Sequence, residues 1–176
     1  AGITLKATDK IFTFLEADAA IAVGAPVQLQ TDVNLNTTGN TYGIEVVEVD
    51  TDNAGGGSGC ILGAYTGVNL TNPHGTKVNV KNPDSDGADG DGGSVVLTGV
   101  AAVDGDLIQV QCYGAGWCLA AGNPDIIAGD NLIGASAVGA LIGVADLADG
   151  SGAQVTALGP LTENAEGLIP VFFRCM

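Results

Sequence analysis

Cationic side chains are scarce in this 176-residue chain: five Lys plus Arg stand against 20 Asp plus Glu, for a formal net charge of −15. Affinity for a phosphate backbone rests on Lys and Arg displacing counterions, so this balance argues against direct nucleic-acid binding. Aromatic residues make up 5%, and the rings that normally line a sugar cleft are correspondingly few. There is one histidine, His74, in the turn-like NPHG, where a surface imidazole is the ordinary expectation. A Ser-His-Asp constellation would have to use it, yet no serine sits in a Gly-x-Ser-x-Gly turn. A Gly-x-x-x-x-Gly-Lys phosphate loop is also missing. No CxxC pair is present, which removes a structural zinc site of the usual spacing. The apolar runs fall far short of the roughly 20 residues of a membrane-spanning helix. AGITLKATDK, at the N-terminus, has no basic region leading into an apolar stretch, so no signal peptide is expected there. The chain is therefore expected to be no enzyme, to carry no cofactor or metal, and to bind neither nucleic acid nor membrane.

What the chain has in quantity is glycine, with 28 residues, inside a composition that is 46% apolar. Without a collagen-like period, that combination reads as many turns between many short strands. The length fits one domain with a real core. Strands are expected over Ile3–Ala7, Ile11–Glu16, Pro26–Gln30, Tyr42–Val49, Gly59–Tyr65, Thr76–Lys81 and Ser94–Val103. Further strands are expected over Asp106–Tyr113, Trp117–Ala120, Asn131–Ala135, Ala140–Asp146, Ala153–Leu158 and Leu168–Arg174. TKVNVK, from Thr76, puts Val78 and Val80 on one face and Lys77, Asn79 and Lys81 on the other. The alanine-rich stretch from Ala17 to Ala22 is too short to hold a helix alone. The fold class is all-β, a small β-barrel or sandwich of many short strands with extended N- and C-terminal segments.

One phrase occurs twice. Residues 21–29 read IAVGAPVQL, and residues 126–134 read IIAGDNLIG. Each is followed by an apolar run, TYGIEVVEV or ALIGVADLA, and then by a glycine-rich acidic break. The glycine ahead of each strand supplies the backbone freedom of a tight turn. Two copies of a strand-turn-strand phrase predict a barrel or sandwich built by repetition. The organisation read from this is an N-terminal strand or arm over 1–20, a core over 21–158 and an extended tail over 159–176.

Several residue groups could in principle carry chemistry. Asp84, Asp86, Asp89 and Asp91 crowd one loop, NPDSDGADGDGG, and acidic oxygens suit calcium. Counted from Asp84, however, Ala88, Asp89 and Val95 fall where a calcium loop wants a ligand, a glycine and a glutamate. A solvated loop is the default. Cys112 and Cys118 flank YGAGW, and a symmetric hairpin there would bring them close enough for a disulfide. The competing reading takes these two, with Cys60 and Cys175, as thiols in a reducing compartment. Glu16, Glu45 and Glu48 could be paired with aspartates for glycoside hydrolysis, but with 20 acids in the chain such pairs arise without meaning.

The series IAVGAPVQL, YGIEVVEVD, GDLIQVQCYG, IIAGDNLIGAS and ALIGVADLADGSGAQVTAL resembles the small β-barrel decoration, or cement, proteins of tailed-phage capsids. The likeness spans Ile21 to Leu158. Ala25 stands where an acidic residue is common in that family, and the tail after Gly159 is an addition. The resemblance implies a structural protein on the capsid exterior of the virion, made in the host cytoplasm. It also implies a homotrimer that clamps neighbouring major capsid subunits against internal DNA pressure. The alternative is a tail, baseplate or carbohydrate-binding adhesin module, with Tyr113 and Trp117 as the aromatics of a hairpin tip.

The expected contact residues lie near the two ends. Phe12 and Phe14 share one face of IFTFLE, with Ile11, Thr13 and Leu15 on the other. In the tail, Ile169, Val171 and Phe173 oppose Pro170, Phe172 and Arg174, and Pro170 suggests an edge strand. Phe12, Phe14, Phe172, Phe173 and Arg174 are the candidate partner-binding residues. The alternative is that both segments complete the protein's own barrel. If the tail is a separable clamp, deleting residues 160–176 leaves a folded barrel that no longer assembles.

Overall fold

Alternating side chains and glycine-marked turns form the strands of this chain's described residues. The computed structural model describes residues 9–29, 45–48, 61–81, 96–122, 125–134, 142–144, 154–161 and 166–175. The strands among them are β1 (Ile11–Ala17), β2 (Pro26–Leu29), β3 (Glu45–Glu48), β4 (Gly63–Asn69), β5 (Lys77–Lys81) and β6 (Val96–Val100). The series continues with β7 (Leu107–Ala121), β8 (Asn131–Gly134), β9 (Ile142–Val144), β10 (Val155–Ala157) and β11 (Glu166–Arg174). The described residues contain no helix, and the all-β expectation holds. The expected strand at Ile3–Ala7, the acidic loop of Asp84 to Asp91, and Cys60 lie outside the described residues.

The strand pairings close two rings that share β7. In the first, β1 runs parallel to β3; β3 pairs antiparallel with β2, β2 with β4, β4 with the first half of β7, and β7 with β1. In the second, the far half of β7 runs parallel to β9; β9 pairs antiparallel with β8, β8 with β10, β10 with β11, and β11 with β7. Strand for strand, the directions are the same. Each ring has its own apolar centre. Ile21, Val27, Val46, Tyr65, Ile108 and Val110 belong to the first, and Leu132, Val155, Ile169, Val171 and Phe173 to the second.

The duplicated phrase is duplicated in space. Gly24 and Gly129 take φ of 84° and 101°, the left-handed values that a type II turn requires at its third position. Ala25 N donates to Ala22 O and Asp130 N to Ile127 O, both at 3.1 Å. Gly24 N and Gly129 N then donate to Tyr65 O and Ala157 O, each at 2.8 Å. Ile21 bridges to Ala102 as Ile126 bridges to Leu161. Val103–Asp106 is a third copy of the turn, with Gly105 at φ 81° and Asp106 N donating to Val103 O at 3.1 Å.

A carboxylate closes each of these turns. Val103 N donates to Asp106 Oδ2 and Ile127 N to Asp130 Oδ2, both at 2.9 Å. Ala25 has no carboxylate to offer, and Glu48 of β3 replaces it, accepting from Ala22 N at 2.6 Å. Burial pushes the Glu48 carboxyl above its ordinary 4.5, and the bond from Ala22 pulls it partway back. A raised value in the folded state means that folding favours the protonated form. The stability Glu48 contributes through this shift is fully present below 4.5 and is lost as pH rises through the folded value. Glu48→Gln keeps an acceptor and removes the charge, so it is expected to be no less stable at neutral pH. It should also flatten the pH dependence of urea unfolding above about 4.5. Glu48→Ala leaves the exposed Ala22 N to water and should cost about 0.5–1.5 kcal/mol.

One sequence expectation fails at the centre. Asp106–Tyr113 and Trp117–Ala120 are not two arms of a hairpin; Leu107–Ala121 is one strand of 15 residues. At Gly114, φ is 90°, which bends the strand without reversing it. The Gln111 side-chain amide donates to the carbonyls of Tyr113, Gly114 and Ala115 at 3.1, 3.3 and 3.0 Å, so the bend leaves no orphan acceptor there. Cys112 and Cys118 therefore stand along one strand and not opposite each other across a ladder, the arrangement that a hairpin disulfide would need. Both are thiols. Burial pushes the Cys118 thiol well above its usual value, with Cys175 nearby adding to the shift.

β5 and β6 form a separate two-stranded sheet over one end of the first ring, where Val78, Val80 and Leu97 pack against its core. The Tyr65 hydroxyl donates to Val100 O. Burial, and then the charge of Asp106, push this phenol up to about 12. β6 crosses β4 at two glycines; a Cβ on Gly99 would lie 2.5 Å from Gly67 Cα.

Candidate functional site

The two terminal segments of the described chain are strands of the rings. β1 is in register with β7 from Ile11↔Tyr113 to Glu16↔Leu107. β11 is in register with β7 over nine residues, from Glu166↔Ala121 to Arg174↔Tyr113. Each segment completes the protein's own sheet, the second of the two readings open from sequence. Of the tail, residues 166–174 are thus a strand paired along the far half of β7.

Strand alternation decides which candidate residues face outward. Phe12 and Phe14 do, at 42% and 47% exposure. Opposite them on β7 stand Gln111 and Gln109. Gln109 is held from the far side by β4, where Thr66 Oγ1 lies 2.9 Å from its Oε1. Val68 and Leu70 continue that outward row and are exposed; Leu70 N donates to Leu107 O at 2.8 Å. The outer surface of β1, β7 and β4 thus carries Phe12, Phe14, Leu107, Val68 and Leu70 around a narrow amide and hydroxyl centre.

The tail residues separate by parity. Phe173 is fully buried in the second core and is closed to any partner in this fold. Phe172 and Arg174 point the other way. Phe172 meets Tyr113 edge to face, with ring centroids 5.5 Å apart at 77°. Arg174 lies over the Phe172 ring at 5.4 Å, and its Nη1 reaches Thr156 Oγ1 at 3.3 Å. Tyr113 and Trp117 sit within β7, not at a hairpin tip, and Trp117 is opposite Pro170. The five sequence candidates therefore divide among an outer face on the first ring, a second outer cluster on the other ring, and a core. Val68 and Leu70 were missed by the sequence reading because the expected strand stopped at Tyr65, whereas β4 runs on to Asn69.

His74 is exposed between β4 and β5. Among the described residues, no group of three His, Cys, Asp or Glu is placed to hold a metal ion. The carboxylates with described roles close turns: Asp106 also accepts from Asn69 Nδ2 at 2.6 Å.

No protein-family model matches this chain, and no curated protein matches it. Among solved structures, it is similar to the N base of the head fiber protein gp8.5 of bacteriophage phi29, with a TM-score of 0.42 and 14% identity. That similarity covers 94% of this chain and 96% of the other.

Proposed function

We propose that this chain is a structural, non-enzymatic protein of a tailed-phage head. In this reading it sits on the outside of the assembled shell as a decoration protein, bound to the major capsid protein and acting as a homotrimer. The observation that carries the reading is the outward face of β1, β7 and β4. It presents Phe12 and Phe14 in an ordered strand, on a scaffold of two rings fixed by long-range hydrogen bonds. A clamp on a shell needs rigidity and apolar anchor side chains, since a few buried aromatics carry most of the energy of a protein contact. The resemblance of Ile21–Leu158 to capsid decoration proteins supplies the rest. Repetition over many shell sites would add avidity, because each bridged subunit raises the effective concentration for the next.

The test is co-sedimentation of the purified protein with heads of the encoding phage assembled without it. Saturable binding, and heads that resist heat or chelation better once coated, are the expected results. Heads that bind none of it at micromolar protein would end the reading. Sedimentation velocity over a range of concentration and salt should show a trimer; a monomer throughout would remove the trimer from the proposal.

A further inference from the structure

Two thiols stand opposite each other where the rings join. β11 lies against β7 with Arg174 opposite Tyr113, and one residue further Cys175 N donates to Cys112 O at 3.0 Å. That bond carries the register on, so Cys175 is directly opposite Cys112. Residues so placed on antiparallel strands share a face, with Cα atoms about 5.5 Å apart in a hydrogen-bonded pair. A disulfide spans roughly 4.4–6.8 Å between Cα atoms. Both residues are thiols. Cys112 is buried, and Cys175, packed on the core of the second ring, is half-buried. We infer that Cys112 and Cys175 are an oxidisable pair, which closes a cross-strand disulfide and staples the end of β11 to β7 beside its bend.

In the reduced form each thiol is turned to the strand on its own far side. Cys112 Sγ donates to Ile11 O of β1 at 3.4 Å, and Cys175 Sγ to Gln154 O beside β10 at 3.8 Å. Thiols are weak donors, so rotation about the two Cα–Cβ bonds brings the sulfurs together at small loss. Cys118 is the rival partner. It is fully buried in the same core, near enough to Cys175 for the two thiols to influence each other. Its partner across the ladder, however, is Ile169.

The oxidant is a small-molecule disulfide such as oxidised glutathione. The Cys175 thiol loses its proton, and the thiolate attacks one sulfur of that disulfide, displacing one glutathione as thiolate. Cys112, deprotonated in turn, attacks the Cys175 sulfur and displaces the second glutathione. Two protein thiols are oxidised to one disulfide, the small disulfide is reduced to two thiols, and the two protons pass to the glutathione thiolates. Burial holds the Cys112 thiol above its ordinary 9.0, so closure should quicken as pH rises toward that value. A head protein outside its host sits in an oxidising medium, where disulfides persist. That timing rests on the reading above; the bond itself does not.

The test is the full chain incubated with oxidised glutathione at mildly alkaline pH, then alkylated and mapped without reduction. The expected product is a peptide pair joining Cys112 to Cys175, reversed by dithiothreitol. The melting temperature should rise with it by about 5–15 °C. Cys175→Ser should abolish both the link and the rise, whereas Cys118→Ala should keep both. Glutathione that stays on Cys175, a link from Cys175 to Cys118 or Cys60, or no reaction at all overturns the inference. The head assignment stands or falls separately. If the link forms and the protein ignores heads, that assignment fails and the thiol pair remains. If the protein coats heads and never forms the link, the assignment remains and the pair is wrong.

Discussion

Deleting residues 160–176 is expected to unfold the protein, not to release a clamp from an intact barrel. The segment contains β11, which lies against β7 over nine residues and against β10 over three. It brings Leu168, Ile169, Val171 and Phe173 into the interior, all at 1% exposure or less. At about 1.5–3 kcal/mol for each buried side chain of this size, their removal is comparable to the roughly 5–15 kcal/mol that holds a whole domain together. β7 would also lose its partner along the half that forms the second ring. Because β7 is shared, the first ring would be left on a strand with a bare edge, a template for aggregation. The truncated chain should therefore give poor NMR dispersion and elute as aggregate. A cooperative melt and a monomeric or trimeric peak would show that the tail is separable after all. Phe173→Ala is the milder form of the test. It should cost about 3–5 kcal/mol by urea unfolding, whereas Phe172→Ala, at a half-buried position, should cost clearly less. Near-equal losses at the two positions would contradict the parity seen in β11.

That parity was legible from the sequence, because alternation alone separates Phe173 from Phe172. Which set turns inward was not, since it depends on pairing with a strand some fifty residues away. The repeated phrase was the more informative signal. It predicted the turns at Gly24 and Gly129 and an architecture of repetition, and the two rings match strand for strand. The third turn, Val103-Asp104-Gly105-Asp106, spells the same apolar-x-Gly-Asp phrase and could have been found. It was hidden because the strand after it runs through YGAGW, whose composition suits a hairpin turn. Nothing local distinguishes a glycine that reverses a strand from one that bends it. The distinction lies in Gln111 donating to three carbonyls and in the two partners, β1 and β11, that receive successive halves of β7. Glu48 was out of reach for a related reason. Ala25 was seen as a missing acid, but its replacement comes from 26 residues away at Ala22 N, and sequence spacing does not announce such a substitution.

Gly114→Ala is expected to destabilise the protein by more than about 4 kcal/mol, beyond the range of ordinary substitutions. Two costs coincide there. φ is 90°, and an L-residue in the left-handed region costs about 1–2 kcal/mol. A Cβ would also lie 2.1 Å from the Asp9 carbonyl oxygen, a backbone atom that cannot swing aside. Relief requires β1 to move off β7, which undoes the first ring. Gly105 and Gly129 separate the two costs. Their φ values, 81° and 101°, are of the same kind, yet an added Cβ at either meets nothing within 4 Å. Alanine there should cost only the backbone term, about 1–2 kcal/mol each. Urea unfolding of the three variants, read against wild type, decides the matter. If Gly114→Ala is no worse than Gly105→Ala and Gly129→Ala, β1 is not seated against the bend, and the shared strand does not join the rings as described. If it stands apart by several kcal/mol, the close approach of Asp9 to Gly114 fixes where β1 begins, and with it the register that turns Phe12 and Phe14 outward together. The bend in β7 would then set the geometry of the proposed docking face, although no residue of the bend lies on the apolar row itself.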